Sequence, residues 1–259
     1  MLIKNFSVLA TNREKKDALC IIEAGLDAAL PDGSLRKIVR KNTFTIAKKT
    51  VLFSKYARIF VIGVGKSADS MAKTICSQTK INGGIIVIPN KTKSVFGNKK
   101  IKILHASHPI PNNQSIKAAK QIIEFLKTRK PTDFIIFLIS GGGSSLLSLP
   151  YGISLYDKKI VTSLLLKSGA NIQEINCIRK HLSKIKGGRL IEHLTCDAVS
   201  FVMSDVVGDN LSDIASALTY FDDTTFKDAY KILIKYNLKK NTPPNFCYFK
   251  GCRMDSSHY

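Results

Sequence analysis

Two rhythms of apolar and polar positions alternate along this chain. Over residues 14–30 apolar side chains recur at helical spacing, which places Ala18, Ile21, Ile22 and Ala29 on one face of a helix. A second helix is predicted after "PDGS", with Ser34 as its cap. The period then shortens. "RIFVIGV" (58–64), "GGIIVIP" (83–89), "KILHAS" (102–107), "DFIIFLIS" (133–140) and "DAVSFVMSD" (197–205) are brief, rich in β-branched residues and apolar on both faces. Strands buried on both sides read this way. Helical spacing returns between them, with Ala68, Met71, Ala72, Ile75 and Cys76 after the first strand. Residues 114–128 carry Ala119, Ile122, Ile123 and Leu126 as a buried stripe, and helices are expected to dominate from Asp157 to Leu194. The alternation predicts an α/β fold: a Rossmann-like three-layer sandwich, a mostly parallel sheet with helices on both faces. In such folds ligands bind beyond the carboxyl ends of strands. Both glycine loops, "GVGKS" and "SGGGSS", occupy that position.

Composition narrows the class. With 259 residues, 44% of them hydrophobic, the chain can bury the core of one large domain or two small ones. The longest apolar run, Phe134 to Ile139, falls far short of the roughly 20 residues that cross a bilayer. The N-terminal "MLIKNFSVLATNREKK" lacks a sustained apolar region and a small-residue cleavage site, so a cytoplasmic protein without membrane association is expected. The net charge of +21 points to anionic partners, among which nucleic acid, a membrane surface and phosphorylated ligands compete. Lysine supplies 32 of the 40 basic residues and is scattered throughout, and no zinc-finger, RRM or KH signature appears. That dispersion speaks for a general lysine bias and against nucleic acid. The six cysteines form no CxxC pair and read as buried free thiols.

Candidate chemistry gathers at five places. Three consecutive glycines in "SGGGSS" (140–145) remove every β-carbon from a short stretch, so a ligand can approach the backbone; a tight strand-to-helix turn is the competing reading. "VIGVGKSA" lacks the first glycine of a Walker A loop, since position 60 is Phe60. It has Gly63, Gly65 and Ala68 of a dinucleotide fingerprint but no carboxylate at the end of the next strand. What survives is Lys66 at a helix start, where backbone amides and the helix dipole favour an anion. In "EINCIRKHLSKIKGGRL" the residues Asn176, Arg179 and Lys180 share one helical face, followed by Lys186. A solvated basic face is the usual meaning of such a run; the asparagine and the Gly-Gly break favour an anionic substrate. "MSDVVGDN" ends a strand on Asp205, suited to Mg²⁺ held together with phosphates or to a base, while Asp209 reads as a turn residue. His108 in "SHPIPNNQS" is an acid–base candidate with an equally good structural reading. No His–Asp pair serves the serines, and phosphoryl transfer suits this inventory because its catalysis is mostly positioning and charge neutralisation.

Taken in order, "GVGKSADSMA", "SHPIPNNQS", "LISGGGSSLLSLP", "LLLKSGANIQEINCIRKHLSKIKGGRL" and "SDVVGDNLSDIAS" resemble the MOFRL-type glycerate 2-kinases, from about residue 14 to about residue 236. The resemblance implies an ATP- and Mg²⁺-dependent enzyme that phosphorylates D-glycerate to 2-phosphoglycerate. It places Lys66 on the family's active-site lysine. Ser140, Gly141, Gly142, Gly143, Ser144 and Ser145 match the phosphate loop. Asn176, Arg179, Lys180 and Lys186 fall on substrate and phosphate contacts, and Asp205 on the strand-end aspartate, a metal-ligand candidate. Lys66, Arg179 and Asp205 are the implied catalytic residues.

The departures are specific. Ser107 and Asn112 stand where the family has glycine and aspartate, and "SALT" (Ser216 to Thr219) replaces "SGPT". Family members continue into a C-terminal MOFRL domain that closes the cleft. The sequence therefore predicts a kinase N-terminal domain over residues 1–242 and a tail, 243–259, unlike the family, from an interrupted or shortened gene. The missing domain is expected from a separate polypeptide, or the chain forms a homodimer. Competing readings are a hydroxypyruvate reductase, a non-catalytic phosphate-binding remnant and a basic nucleic-acid binder.

Overall fold

The structure, a computed structural model, describes residues 1–46, 48–95 and 97–238. The predicted boundary at 242 and the tail beyond it lie outside the described residues, as do Cys247 and Cys252. In chain order come α1 (Phe6–Leu9), α2 (Arg13–Ala28) and α3 (Pro31–Ile38), then β1 (Val39–Arg40), β2 (Thr43–Ile46) and β3 (Lys49–Leu52). There follow β4 (Arg58–Val64), α4 (Ala68–Gln78), β5 (Gly83–Pro89), β6 (Ile101–Ala106), α5 (Asn113–Lys127) and β7 (Asp133–Ile139). The last group is α6 (Gly143–Leu146), α7 (Leu155–Lys167), α8 (Ile172–His181), β8 (Asp197–Val202) and α9 (Phe226–Lys235).

The α/β sandwich is as expected. Five strands pair in the order β6-β5-β4-β7-β8, every pair parallel. Period-2 alternation sends each strand's side chains to two cores. Phe60, Ile62, Val64, Ile135, Phe137 and Ile139 pack with α5 through Ala118, Ala119, Ile122 and Leu126. Ile59, Val61, Phe134, Ile136 and Leu138 pack on the other face with Ala68, Met71, Ala72 and Ile75 of α4. A third, smaller core joins α7, α8 and α9 through Val161, Leu165, Ile175, Ile178 and Leu233.

Five local features are not what the linear pattern alone conveys. The stripe on α2 is not buried: Ile21 is 75% exposed, Ile22 52%, and the helix has no buried residue. Periodicity sets which face would pack, not whether a neighbour exists. The second helix begins at Pro31 with Leu30 as its N-cap, because proline at N1 already has helical φ, so Ser34 lies inside it. The antiparallel sheet β1-β2-β3 is absent from the sequence reading; its strands are 2 to 4 residues long, too short for a period to show. Residues 182–190 are irregular rather than helical. Among the described cysteines, Cys177 is buried but Cys20 is exposed.

The departures from the family pattern have readable consequences. Asn112 caps α5, its side chain accepting from the amides of Gln114 and Ser115 at 3.0 and 3.3 Å, while its own amide donates to Ser115 Oγ. Asparagine caps as well as aspartate does. At the start of "SALT" and just before it, Ala215, Ser216 and Ala217 take φ values of 52°, 55° and 55°, left-handed for three residues running. At Ala217 that costs about 1–2 kcal/mol. Its buried methyl and the smaller unfolded-state entropy of alanine offset roughly the same amount, so alanine serves where the family has glycine. Asn112→Ala, by contrast, removes a cap with nothing in exchange. It is expected to cost about 1 kcal/mol, read as a lower midpoint in urea denaturation with an unchanged slope.

Candidate active site

Strand order reverses at β4: β5 and β6 lie on one side, β7 and β8 on the other. The crevice beyond the carboxyl ends of β4 and β7 is the ligand position of such sheets. Here the two glycine loops are bound to one another. Lys66 N donates to Gly141 O at 2.9 Å, Ser67 N to Ser140 Oγ at 3.0 Å, and Ser140 N to Val64 O at 3.0 Å. A β-carbon on Gly65, at φ 136°, would collide with Ser140, and one on Gly141 would collide with the Asp205 carboxylate. The glycines thus let protein meet protein as well as leaving backbone open. This corrects the expectation for the start of α4: the amides of Lys66 and Ser67 are spent on the neighbouring loop, and what remains for an anion is the exposed Lys66 side chain.

Three titratable groups converge on the glycine loop. A β-carbon on Gly142 would stand 2.9 Å from His108 Cδ2 and 3.5 Å from Lys66 Cε. Asp205 abuts Gly141 with an exposed side chain. His108 is held below its ordinary pKa, first by partial burial and then by Lys66, with Asp205 opposing. Its imidazole is therefore mostly neutral near pH 7 and able to accept a proton.

Behind this surface lies a buried polar chain. Gly142, at φ 86°, starts the single turn of α6. Ser144 O and Oγ accept from Lys186 Nζ at 2.8 and 3.1 Å. Ser144 Oγ lies 2.8 Å from Ser216 Oγ, which donates to Asn176 Oδ1 at 3.1 Å. Asn176 Nδ2 donates to Asp213 Oδ1 at 3.0 Å. Ser145 Oγ turns back to Gly142 O at 3.0 Å. The left-handed run has a local purpose too, since the carbonyls of Ser216 and Ala217 accept from the amides of Gly187 and Gly188.

The basic face of α8 does not act as one unit. Lys180 is buried and ion-paired with Asp222 at 2.6 Å, and it also donates to Ser212 Oγ. Arg179 is half-buried, and burial lowers the pKa of its guanidinium. Asp209 sits in a left-handed turn, φ 51°, as its sequence context suggested. Among the described residues no group of three His, Cys, Asp or Glu side chains is placed to hold a metal ion. The exposed carboxylate of Asp205 beside the glycine loop is of the kind Mg²⁺ takes, one or two carboxylates together with substrate phosphates and water.

Sequence reasoning missed Ser216, Asp222 and Lys158. Lys158 Nζ donates to Leu182 O at 3.1 Å and is fully buried. Its signal was present: three and seven residues before the buried Val161 and Leu165, it stands on the apolar face of α7.

The chain is similar to several known proteins. A glycerate 2-kinase from Pyrococcus horikoshii is 41% identical over 228 residues, covering 87% of this chain and 51% of its own. A chain from Agrobacterium vitis that carries a provisional hydroxypyruvate reductase name is 44% identical over 186 residues, covering 70% and 48%. The crystal structure of glycerate kinase from Thermotoga maritima superposes with a TM-score of 0.77 at 36% identity, covering 90% of this chain and 53% of that one. The chain spans about half the length of these relatives. No helix among the described residues is long and apolar enough to cross a membrane. The family described as "Domain of unknown function (DUF4147)" matches residues 17–248, nearly the whole of the described fold, and the chain belongs to that family.

Proposed function

We propose that this chain is the nucleotide-phosphate and glycerate-binding part of a glycerate 2-kinase, which transfers the γ-phosphoryl group of ATP to the C2 hydroxyl of D-glycerate. The observation that carries the reading is the convergence of Lys66, His108 and Asp205 on a glycine loop backed by Lys186. That arrangement offers cations, open backbone and a proton acceptor around one point. The kinase names of relatives at comparable identity support it.

In the transfer, the glycerate hydroxyl oxygen forms a bond to phosphorus while the bond to the ADP oxygen breaks, and the hydroxyl proton must leave. His108, unprotonated near neutrality, accepts it. Lys66 and Arg179 neutralise the charge on the transferred group, which is most of what such catalysis requires. Ser140, Gly141, Gly142, Gly143, Ser144 and Ser145 form the phosphate cradle, stiffened from behind by Lys186. Asn176 and Lys180 hold the 212–222 segment against it through Ser216, Ser212 and Asp222. Asp205 would hold Mg²⁺, which would draw charge from the phosphate oxygens. Further chain, whether continuous with this one, in a separate polypeptide or from a second copy, closes the cleft. The site works in solution on small molecules, in the cytoplasm, and needs no nucleic acid.

The test is Mg-ATP-dependent formation of 2-phosphoglycerate from D-glycerate, followed as ADP release. Lys66→Ala is expected to lower the rate by about 100-fold or more, the usual loss when one transition-state charge partner is removed. NADH-dependent reduction of hydroxypyruvate without ADP release would move the assignment to the reductase. Gly141→Ala is expected to raise the Mg²⁺ concentration needed for half-maximal ADP release about tenfold or more, because its methyl displaces the Asp205 carboxylate.

A further inference from the structure

Beneath the glycine loop lies an imbalance of charge. Lys158, Arg179 and Lys186 approach one another closely enough that each lysine feels Arg179, and Lys186 also feels Lys158. Both lysines are buried, with 5% and 1% of their surface exposed. Among the described residues none of the three cations has an ion pair. The two lysines donate only to neutral oxygens: Lys158 to Leu182 O, Lys186 to Ser144 O and Oγ. Of the nearby carboxylates, Asp222 is taken by Lys180 at 2.6 Å and faces His181 at 3.9 Å, and Asp213 accepts from Asn176 and Asn210 and pairs with none of the three cations. Arg189 points at the carbonyls of Lys180, Ser183 and Lys186 and so brings no compensation. Buried cations without a counter-charge are costly, and a protein keeps such a cluster stable by binding an anion or by shedding protons.

We propose that Lys158 is a positioning cation of the phosphate site, lying behind Lys186 and Arg179, and that a tetrahedral dianion at the glycine loop binds with uptake of protons by the two buried lysines. The proposal rests on the phosphate reading of the loop given above. Lys186 makes the connection, since its ammonium touches Ser144 of that loop while sharing a field with Lys158. Burial and Arg179 push Lys158 down to about 7, and burial with both neighbouring cations holds Lys186 well below the usual lysine range. In the free protein Lys158 therefore loses its charge as pH rises through about 7, and Lys186 gives up its proton more readily than an ordinary lysine. An arriving dianion favours their charged forms, so its affinity rises as pH falls. His181 is depressed chiefly by burial; His108, on the loop itself, would also gain a proton when a dianion arrives, so the contribution of the lysines is read in a His108→Gln background.

A simpler role competes: the Lys158 ammonium at Leu182 O caps the C-terminus of α8. Sulfate, a dianion throughout the relevant range, separates the two. Its dissociation constant is measured by calorimetry from pH 6.5 to 9, in buffers of different ionisation enthalpy so that proton uptake is counted. The wild-type chain is expected to bind sulfate about tenfold or more tightly at pH 6.5 than at pH 9, following the linkage of a proton to binding. It should take up protons on binding at pH 7.5. Lys158→Met should weaken binding at pH 6.5 about tenfold and flatten the profile. Lys158→Arg, which keeps the charge and cannot release its proton, should retain affinity and lose much of the slope. Variants that lower Tm but keep the wild-type slope would leave Lys158 as a helix cap only and overturn the proposal. Wild-type binding without pH dependence or proton uptake would overturn the linkage while leaving the phosphate reading intact. Absence of sulfate binding at pH 6.5 would overturn both. Should both variants fail to fold, the proton count on His108→Gln, which leaves both lysines in place, decides.

Discussion

The mutual grip of two loops at the carboxyl ends of β4 and β7 is the constraint on which this molecule turns. Adjacent parallel strands whose connections leave in opposite directions open a crevice at their ends. Here Lys66 N to Gly141 O and Ser67 N to Ser140 Oγ close the base of that crevice and fix the two loops relative to one another. The grip needs Gly65, because a β-carbon there would strike Ser140, while Gly141 leaves room for the Asp205 side chain beside it. It also aims Lys66, His108 and Asp205 at one point, although they come from three separate segments of the chain.

A second layer lies behind this point. A chain of hydroxyls and amides runs from Ser144 through Ser216 and Asn176 to Asp213, and left-handed backbone at residues 215–217 presents two carbonyls to Gly187 and Gly188. Cations fill the remaining space. One of them, Lys180, is neutralised by Asp222; Lys158, Arg179 and Lys186 are not. Low dielectric makes unpaired charge expensive in the free protein and strengthens its pull on an anion, so the same burial that depresses the lysines prepares the site.

The fold was largely legible in the linear pattern because each main strand is apolar on both faces and each covering helix has a clear stripe. Very short strands, as in β1-β2-β3, carry too few residues to establish a period. The exposed stripe of α2 shows the limit from the other side, since amphipathicity is a property of the helix and burial is a property of its surroundings. Of the site, Lys66, the glycine loop and Asp205 could be read from strand-end position. Lys158 could have been read as a charge on an apolar face, whereas Ser216 and Asp222 carry no local mark.

By itself the sequence determined the α/β class, the places where loops leave strands, the glycines that keep those loops bare and the excess of basic residues near residue 180. These are local properties, written in spacing and side-chain type. Only the tertiary structure decided which cations stay uncompensated, that the amides at the start of α4 serve the neighbouring loop, and that His108 joins Lys66 and Asp205. Pairing depends on distances between segments as far apart as 66 and 205, and no period along the chain encodes them.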